Sequence, residues 1–135
     1  MSHTDVNNLK IYRNTGFIYL IVSIFLALTG FIYEHFSHGV FSYSMVYAFS
    51  VPLVLGTLLN AVLERVRMHM PESLTRQIWH CGVATLTMGL LVSGVFEIYG
   101  AANPWINYYY IAGFVLLALS LSLYFVKDNR KRETD

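Results

Sequence analysis

The chain has 135 residues, of which 56% are hydrophobic, 16% aromatic and only 13% charged. Soluble domains carry about 25% charged residues, and a small domain buries only about 60–70% of its chain surface. This composition excludes a soluble enzyme and a disordered regulator, and a net charge of +1 excludes a domain that recruits nucleic acid by its field. A single cysteine excludes an intrachain disulfide framework and a multi-cysteine metal site. We therefore expect an integral membrane protein.

Four stretches without a charged residue are each long enough to cross a membrane once. They cover residues 14–33, 35–63, 77–96 and 98–126, and a transmembrane helix needs about 20 apolar residues. Runs of this length predict helices rather than the short alternating strands of a barrel. The predicted fold is an all-α integral membrane protein, a compact bundle of four transmembrane helices near 15–33, 41–63, 77–96 and 105–126. Residues 1–14 form the N-terminal flank and residues 127–135 a basic tail.

The basic residues predict the orientation of the chain. All nine lie on the same side of the predicted spans: Lys10, Arg13, Arg65, Arg67, Arg76, Lys127, Arg130, Lys131 and Arg132. By the positive-inside rule, both termini and the middle connection face the cytoplasm, which indicates a multi-pass protein of the plasma (inner) membrane. Span 1 ends in bulky residues without an A-x-A-like cleavage site, so we expect it to be retained rather than removed as a signal peptide.

Aromatic residues and prolines support these boundaries. An aromatic belt is expected at the outer boundary, from Tyr33, Phe36, Phe41, Tyr43, Tyr99, Trp105, Tyr108 and Tyr109. Asn103 and Pro104 form a cap-then-proline start for span 4. Pro52 lies inside span 2 and predicts a kink there.

Spans 1 and 3 end in similar segments. Residues 28–34 and 92–97 each contain a hydroxyl residue followed by a glycine, then large apolar residues, then a glutamate. Each segment leads through a short loop to a tyrosine-rich segment. Such a duplication predicts two tandem hairpins related by an axis along the membrane normal. The alternative is a chance similarity between helix ends.

Small residues also follow one face of each of these spans. Because small residues let membrane helices approach closely, we predict that the two faces form a seam where spans 1 and 3 touch. The alternative is a stripe that lines a conduit. The seam residues are Ser23, Ala27 and Gly30 on span 1, and Cys81, Thr85, Gly89 and Ser93 on span 3.

Two carboxylates, Glu34 and Glu97, are expected on the outer side. If the seam forms they converge, and neighbouring carboxylates in a partly dehydrated site share a proton or hold a cation. His35 and His38 lie beside Glu34, and one further helical turn would put Glu34 and His38 on one face. These four residues form a candidate cation or proton site, but they match no recognised metal motif and no metal is assigned. The alternative is that each carboxylate caps a helix end.

No enzyme and no cofactor are expected. His80 has no opposing histidine on span 2 or span 4, which argues against haem, and no phosphate-binding glycine loop or serine-type triad occurs. The favoured function is a non-catalytic membrane component or partner subunit, working through helix packing in a homo-oligomer or larger complex in the lipid bilayer. The alternative is a small oligomeric transporter or cation pathway that uses the outer carboxylate and histidine site.

Overall fold

Four helices follow one another in the computed structural model, which describes residues 2–66 and 71–134. They are α1 (His3–Phe36), α2 (Tyr43–Val66), α3 (Ser73–Tyr99) and α4 (Ile106–Thr134). Each is long and apolar enough to cross a membrane, and these described residues contain no strand. The predicted all-α membrane fold with four transmembrane helices is thereby confirmed. Arg67, one of the nine basic residues, lies outside the described residues.

The first and last helices extend beyond the predicted spans. α1 begins at His3 because Ser2 and Asp5 form a capping box, in which Ser2 Oγ accepts from the Asp5 amide at 3.3 Å and Asp5 Oδ2 accepts from the Ser2 amide at 3.2 Å. α4 continues to Thr134 and carries an ion pair between Asp128 and Arg132 one turn apart, at 3.3 Å. The two predicted flanks are therefore helical over their described parts.

The irregularity predicted at Pro52 takes the form of a π-helical segment, Pro52–Leu58, within α2. Proline lacks an amide hydrogen, and the wider helical turn leaves carbonyl groups that need other donors. Side chains add donors at two carbonyls of this segment: Trp79 Nε1 donates to the Leu55 carbonyl at 3.0 Å, and Asn60 Nδ2 donates at 2.6 Å to the Gly56 carbonyl, which also accepts from the Leu59 amide. Such substitution of donors is how membrane helices tolerate proline.

The helices pack in chain order, α1 against α2, α2 against α3 and α3 against α4. Glycines bring α3 and α4 together, because a Cβ at Gly82 would lie 2.8 Å from the Leu117 side chain and one at Gly113 would lie 2.5 Å from that of Leu86. Leu86 and Leu117, with Val83, form the buried apolar cluster of the bundle. Among the described residues, α1 and α3 have no Cα atoms within 8 Å of each other, and neither do α1 and α4.

The two ends of the bundle differ in chemistry. Basic residues lie where α1 and α3 begin and where α2 and α4 end, and an ion pair between Glu72 and Lys127 joins α4 to the start of α3 there. We call this the basic end and the opposite one the outer end. All eight residues of the predicted aromatic belt are exposed and lie towards the outer end.

Candidate functional site

At the outer end, Glu97 anchors the start of α2. Its Oε2 accepts from Ser42 Oγ at 2.7 Å and from the Ser44 amide at 3.5 Å, while its Oε1 accepts from Ser44 Oγ and, at 3.4 Å, from Ser93 Oγ. Ser42 also caps α2 by accepting from the Met45 amide at 3.3 Å. A carboxylate at a helix N-terminus is stabilised by the helix dipole. The arrangement fits a structural anchor, as in the capping alternative.

The other members of the candidate cation site make no direct contact with Glu97 among the described hydrogen bonds and ion pairs, although Glu34 lines a small cleft together with Ser42. No hydrogen bond or ion pair joins Glu34 to Glu97 within the described chain. The further helical turn that would put Glu34 and His38 on one face does not reach His38: the helix ends at Phe36, and His38 has a φ of 53° with its Nδ1 donating to the Phe36 carbonyl at 2.7 Å. His35 and His38 are exposed. Over residues 2–66 and 71–134, no group of three or more His, Cys, Asp or Glu is placed to hold a metal.

The predicted seam between α1 and α3 is replaced by contacts that each helix makes with α2. A Cβ at Gly30 would lie 3.1 Å from the Met45 carbonyl oxygen, and one at Gly94 would lie 2.7 Å from Met45 Cβ. The start of α2 therefore lies between the two helices and keeps their backbones apart. Gly30 packs on the next helix in the chain and Gly94 on the preceding one, so the two similar segments occupy different environments.

The remaining seam residues serve their own helices or other neighbours. Ser23 is buried and donates to the Tyr19 carbonyl at 2.8 Å, while Thr85 donates to the Cys81 carbonyl at 2.7 Å. Gly89 faces α4, where a Cβ would lie 2.9 Å from Tyr109 Cβ. Ala27 is half-buried and Cys81 is exposed. Small residues thus permit close packing, but mainly within the pairs α1–α2 and α3–α4.

Contact between α1 and α3 depends on long side chains. The Tyr19 hydroxyl lies 2.5 Å from Nδ1 of His80, and the two rings are 5.5 Å apart between centroids. The Tyr19 ring fits against Gly56 of α2, where a Cβ would overlap the ring atoms. Residues from three helices therefore meet here, and the wide separation of the helix backbones continues from this point towards the basic end.

Towards the basic end, the four helices surround a cavity of about 240 Å³. Its walls are largely apolar, and every helix contributes to them. The lining residues are Tyr12 from α1; Leu59, Asn60 and Leu63 from α2; Pro71 before α3; Thr75, Arg76, Trp79 and His80 from α3; and Ser120, Leu121, Tyr124 and Phe125 from α4. A cavity of this size within a bundle is a common location for ligand sites.

Several polar groups of the cavity wall have protein partners. Ser120 Oγ donates to the Thr75 carbonyl at 2.8 Å, and Asn60 and Trp79 donate to α2 carbonyls. The hydroxyls of Tyr12 and Thr75 are buried without a hydrogen-bond partner in the described chain, and each residue is only 3% exposed. Because these two oxygen atoms are almost fully covered, they lie behind the cavity surface rather than on it.

Among the described residues, Arg76 contributes the one charged side chain of this wall. It is half-buried, has no ion-pair partner in the described part of the chain, and lies within electrostatic range of Tyr12. Over residues 2–66 and 71–134, the wall contains no carboxylate and no cysteine. The cavity thus combines an apolar interior with a positive charge.

The sequence-based candidates did not include this cavity. Tyr12 and Arg76 lie in polar flanks of the predicted spans, and Thr75 and Ser120 resemble the ordinary small polar residues of membrane helices. The available signal is that Tyr12, Thr75 and Ser120 all occur near span ends on the basic side, but their grouping depends on how four helices are rotated.

Comparison with known proteins adds no relative from which a role is transferable. No family model, curated protein or solved structure matches the chain. The chemistry of the cavity wall therefore carries the functional interpretation.

Proposed function

We propose that the chain is a non-catalytic membrane protein that holds an apolar molecule between its four helices at the basic end. The observation that carries this proposal is the cavity of about 240 Å³, whose wall is largely apolar and receives residues from all four helices. An engineered cavity of about 150 Å³ is large enough to bind benzene. The present cavity has room for a larger group, and its walls favour an apolar one.

The composition of the wall supports binding rather than catalysis. Acid–base or nucleophilic catalysis needs a titratable group or nucleophile with a partner that activates it. His80 lines the cavity, but its Nδ1 is engaged by Tyr19, and the described residues of the wall include neither a carboxylate nor a thiol. The groups that are present fit recognition of a ligand.

The basic end defines the membrane orientation that we propose. Lys and Arg residues gather there, so this end faces the cytoplasm, and the membrane is the plasma membrane. The cavity then lies within the cytoplasmic half of the bilayer. A ligand that partitions into that leaflet reaches it without crossing the membrane.

Bromine quenching of tryptophan fluorescence tests the proposal. Trp79 lines the cavity and Trp105 lies at the outer end, so Trp105→Phe leaves Trp79 as the only emitter. The protein is placed in phosphatidylcholine nanodiscs and titrated with ω-bromodecanol. We expect quenching that saturates and is reversed by unbrominated decanol, because a finite site is being filled.

A matched pair of variants separates the cavity from the surrounding lipid. Leu121 lines the cavity and Leu119 does not, yet their exposed fractions are 46% and 47% on the same helix. Leu121→Tyr narrows the cavity and should weaken the saturable quenching, whereas Leu119→Tyr should preserve it. Quenching that rises linearly and equally in all three proteins would contradict the proposal.

The two functions suggested by the sequence remain as alternative proposals, less favoured than a ligand-binding protein. A partner subunit that works through helix packing is compatible with the cavity, because a ligand and a protein partner use different surfaces. A cation pathway through Glu34 and Glu97 is less favoured because the Glu97 oxygens are already engaged by serine groups. Cation flux in proteoliposomes, compared between wild type and a Glu34→Gln/Glu97→Gln variant, tests that pathway.

A further inference from the structure

We infer that the occupant of the cavity is a single-chain monocarboxylate, a fatty-acid-like amphiphile, with its head at Arg76 and its chain between the helices. This inference rests on the proposed function and specifies the ligand class of the same site. It combines two observations: a cavity with largely apolar walls, and an arginine in its wall without an ion-pair partner in the described chain.

The charge of the wall favours an anionic head over a neutral one. Arg76 lines the cavity without a carboxylate in the described residues to neutralise it. A guanidinium binds a carboxylate through two parallel hydrogen bonds, which is the strong form of this interaction. With one cation in the described wall, a monoanion balances the charge, and a more highly charged phosphate does not.

The direction of α3 indicates how the hydrocarbon chain of the ligand is oriented. α3 leads away from the basic end, so Trp79 lies about 5 Å deeper in the bundle than Arg76 at a rise of about 1.5 Å per residue. The apolar side chains of Leu63, Leu121 and Phe125 also line the cavity. A head bound at Arg76 therefore leaves its hydrocarbon chain directed towards Trp79.

The test compares two probes that share a chain and differ in the head. ω-Bromodecanoate and ω-bromodecanol are titrated against the Trp105→Phe protein in phosphatidylcholine nanodiscs, at a pH where decanoate is ionised. Affinities are corrected for the measured partition of each probe into empty nanodiscs. We expect decanoate to bind about tenfold more tightly than decanol, because hydrogen bonds to charged groups are the stronger class.

Arg76→Gln should remove this preference and leave decanol binding within about twofold of the starting protein, since only the charged contact is lost. Arg65→Gln is the matched control, because Arg65 is an exposed arginine at the same end of the bundle and does not line the cavity. It removes the same charge from the basic end and should preserve the preference.

The outcomes separate the inference from the function on which it rests. Saturable decanol binding without a preference for decanoate would overturn the inference and leave the proposed function standing. Absence of saturable binding by either probe would overturn the proposed function itself. Equal loss of preference in Arg65→Gln and Arg76→Gln would assign it to the surface charge of the protein and overturn the site. Tighter binding of decyl phosphate than of decanoate would overturn the choice of a carboxylate.

Discussion

The hydroxyl of Tyr19 in α1 lies 2.5 Å from Nδ1 of His80 in α3, and it joins two helices whose backbones do not touch. We expect Tyr19→Phe to lower the free energy of unfolding by about 1–2 kcal/mol, because His80 loses its partner inside the bundle. A double-mutant cycle with His80→Leu should give a coupling energy of about 1 kcal/mol. Thermal midpoints in detergent check both values, and strict additivity would contradict a direct bond.

Gly56 makes room for the same tyrosine. Gly56→Ala should destabilise the protein by about 1–3 kcal/mol, because its Cβ would overlap the Tyr19 ring. Gly16→Ala is the control, since a Cβ there lies 3.5 Å from Asn60 Cβ, which is an ordinary contact. Combining Gly56→Ala with Tyr19→Leu should recover part of the loss. A larger effect at Gly16 than at Gly56 would show that the ring lies elsewhere.

Gly94 holds α3 against the start of α2. Gly94→Ala would bring a Cβ to 3.0 Å from the Met45 backbone nitrogen, and a backbone cannot move away as easily as a side chain. We expect a loss of about 1–3 kcal/mol, measured as a lowered thermal midpoint. Ser93→Ala should cost less, because Ser93 contributes one long hydrogen bond to Glu97. The opposite ranking would argue against this packing.

Glu97 and Glu34 should differ in how much each contributes to the stability of the protein. Glu97→Gln replaces a charged acceptor of several hydrogen bonds with a neutral one and should cost about 1 kcal/mol. Glu34→Gln is the matched control, as no hydrogen bond to its carboxylate is seen in the described chain, and its thermal midpoint should stay close to wild type. Equal losses at the two positions would favour a site that they share.

The ion pair between Glu72 and Lys127 predicts that the stability of the protein falls as the pH becomes acidic. The hydrogen bond and charge of Lys127 lower the pKa of Glu72 below its usual range. Because the folded pKa lies below the unfolded one, the stabilisation is present above the unfolded pKa of about 4.5. It is lost as the pH falls through the folded value. Thermal midpoints across this range should fall more steeply in wild type than in Glu72→Gln, and identical slopes would refute the contribution.

The positions of the four helices follow from the sequence because the bilayer imposes a simple condition on charge and length. The helix ends were harder to predict, since Ser2 and Asp5 extend α1, and Asp128 and Arg132 support α4, by local contacts outside the apolar stretches. These contacts depend on capping and pairing rather than on hydropathy.

The cavity was not predictable by the same means. Its wall joins Tyr12 to Thr75 and Tyr124, which are far apart in the chain, and their proximity depends on the rotation of each helix. Hydropathy reports which residues face away from water, but it does not report which apolar faces meet. The predicted α1–α3 seam is a case in point, because Met45 occupies the space between Gly30 and Gly94.

The packing of helices in chain order has a consequence for biogenesis. Each helix packs on its neighbours in the chain, so the contacts are local in sequence and favour fast, stepwise assembly. The cavity is the exception, because Ser120 and Tyr124 of α4 form its last wall. The arrival of α4 therefore supplies the last wall of the cavity. On the proposed function, a chain with three inserted helices would lack part of the ligand site, and ligand retention would report completion of the bundle.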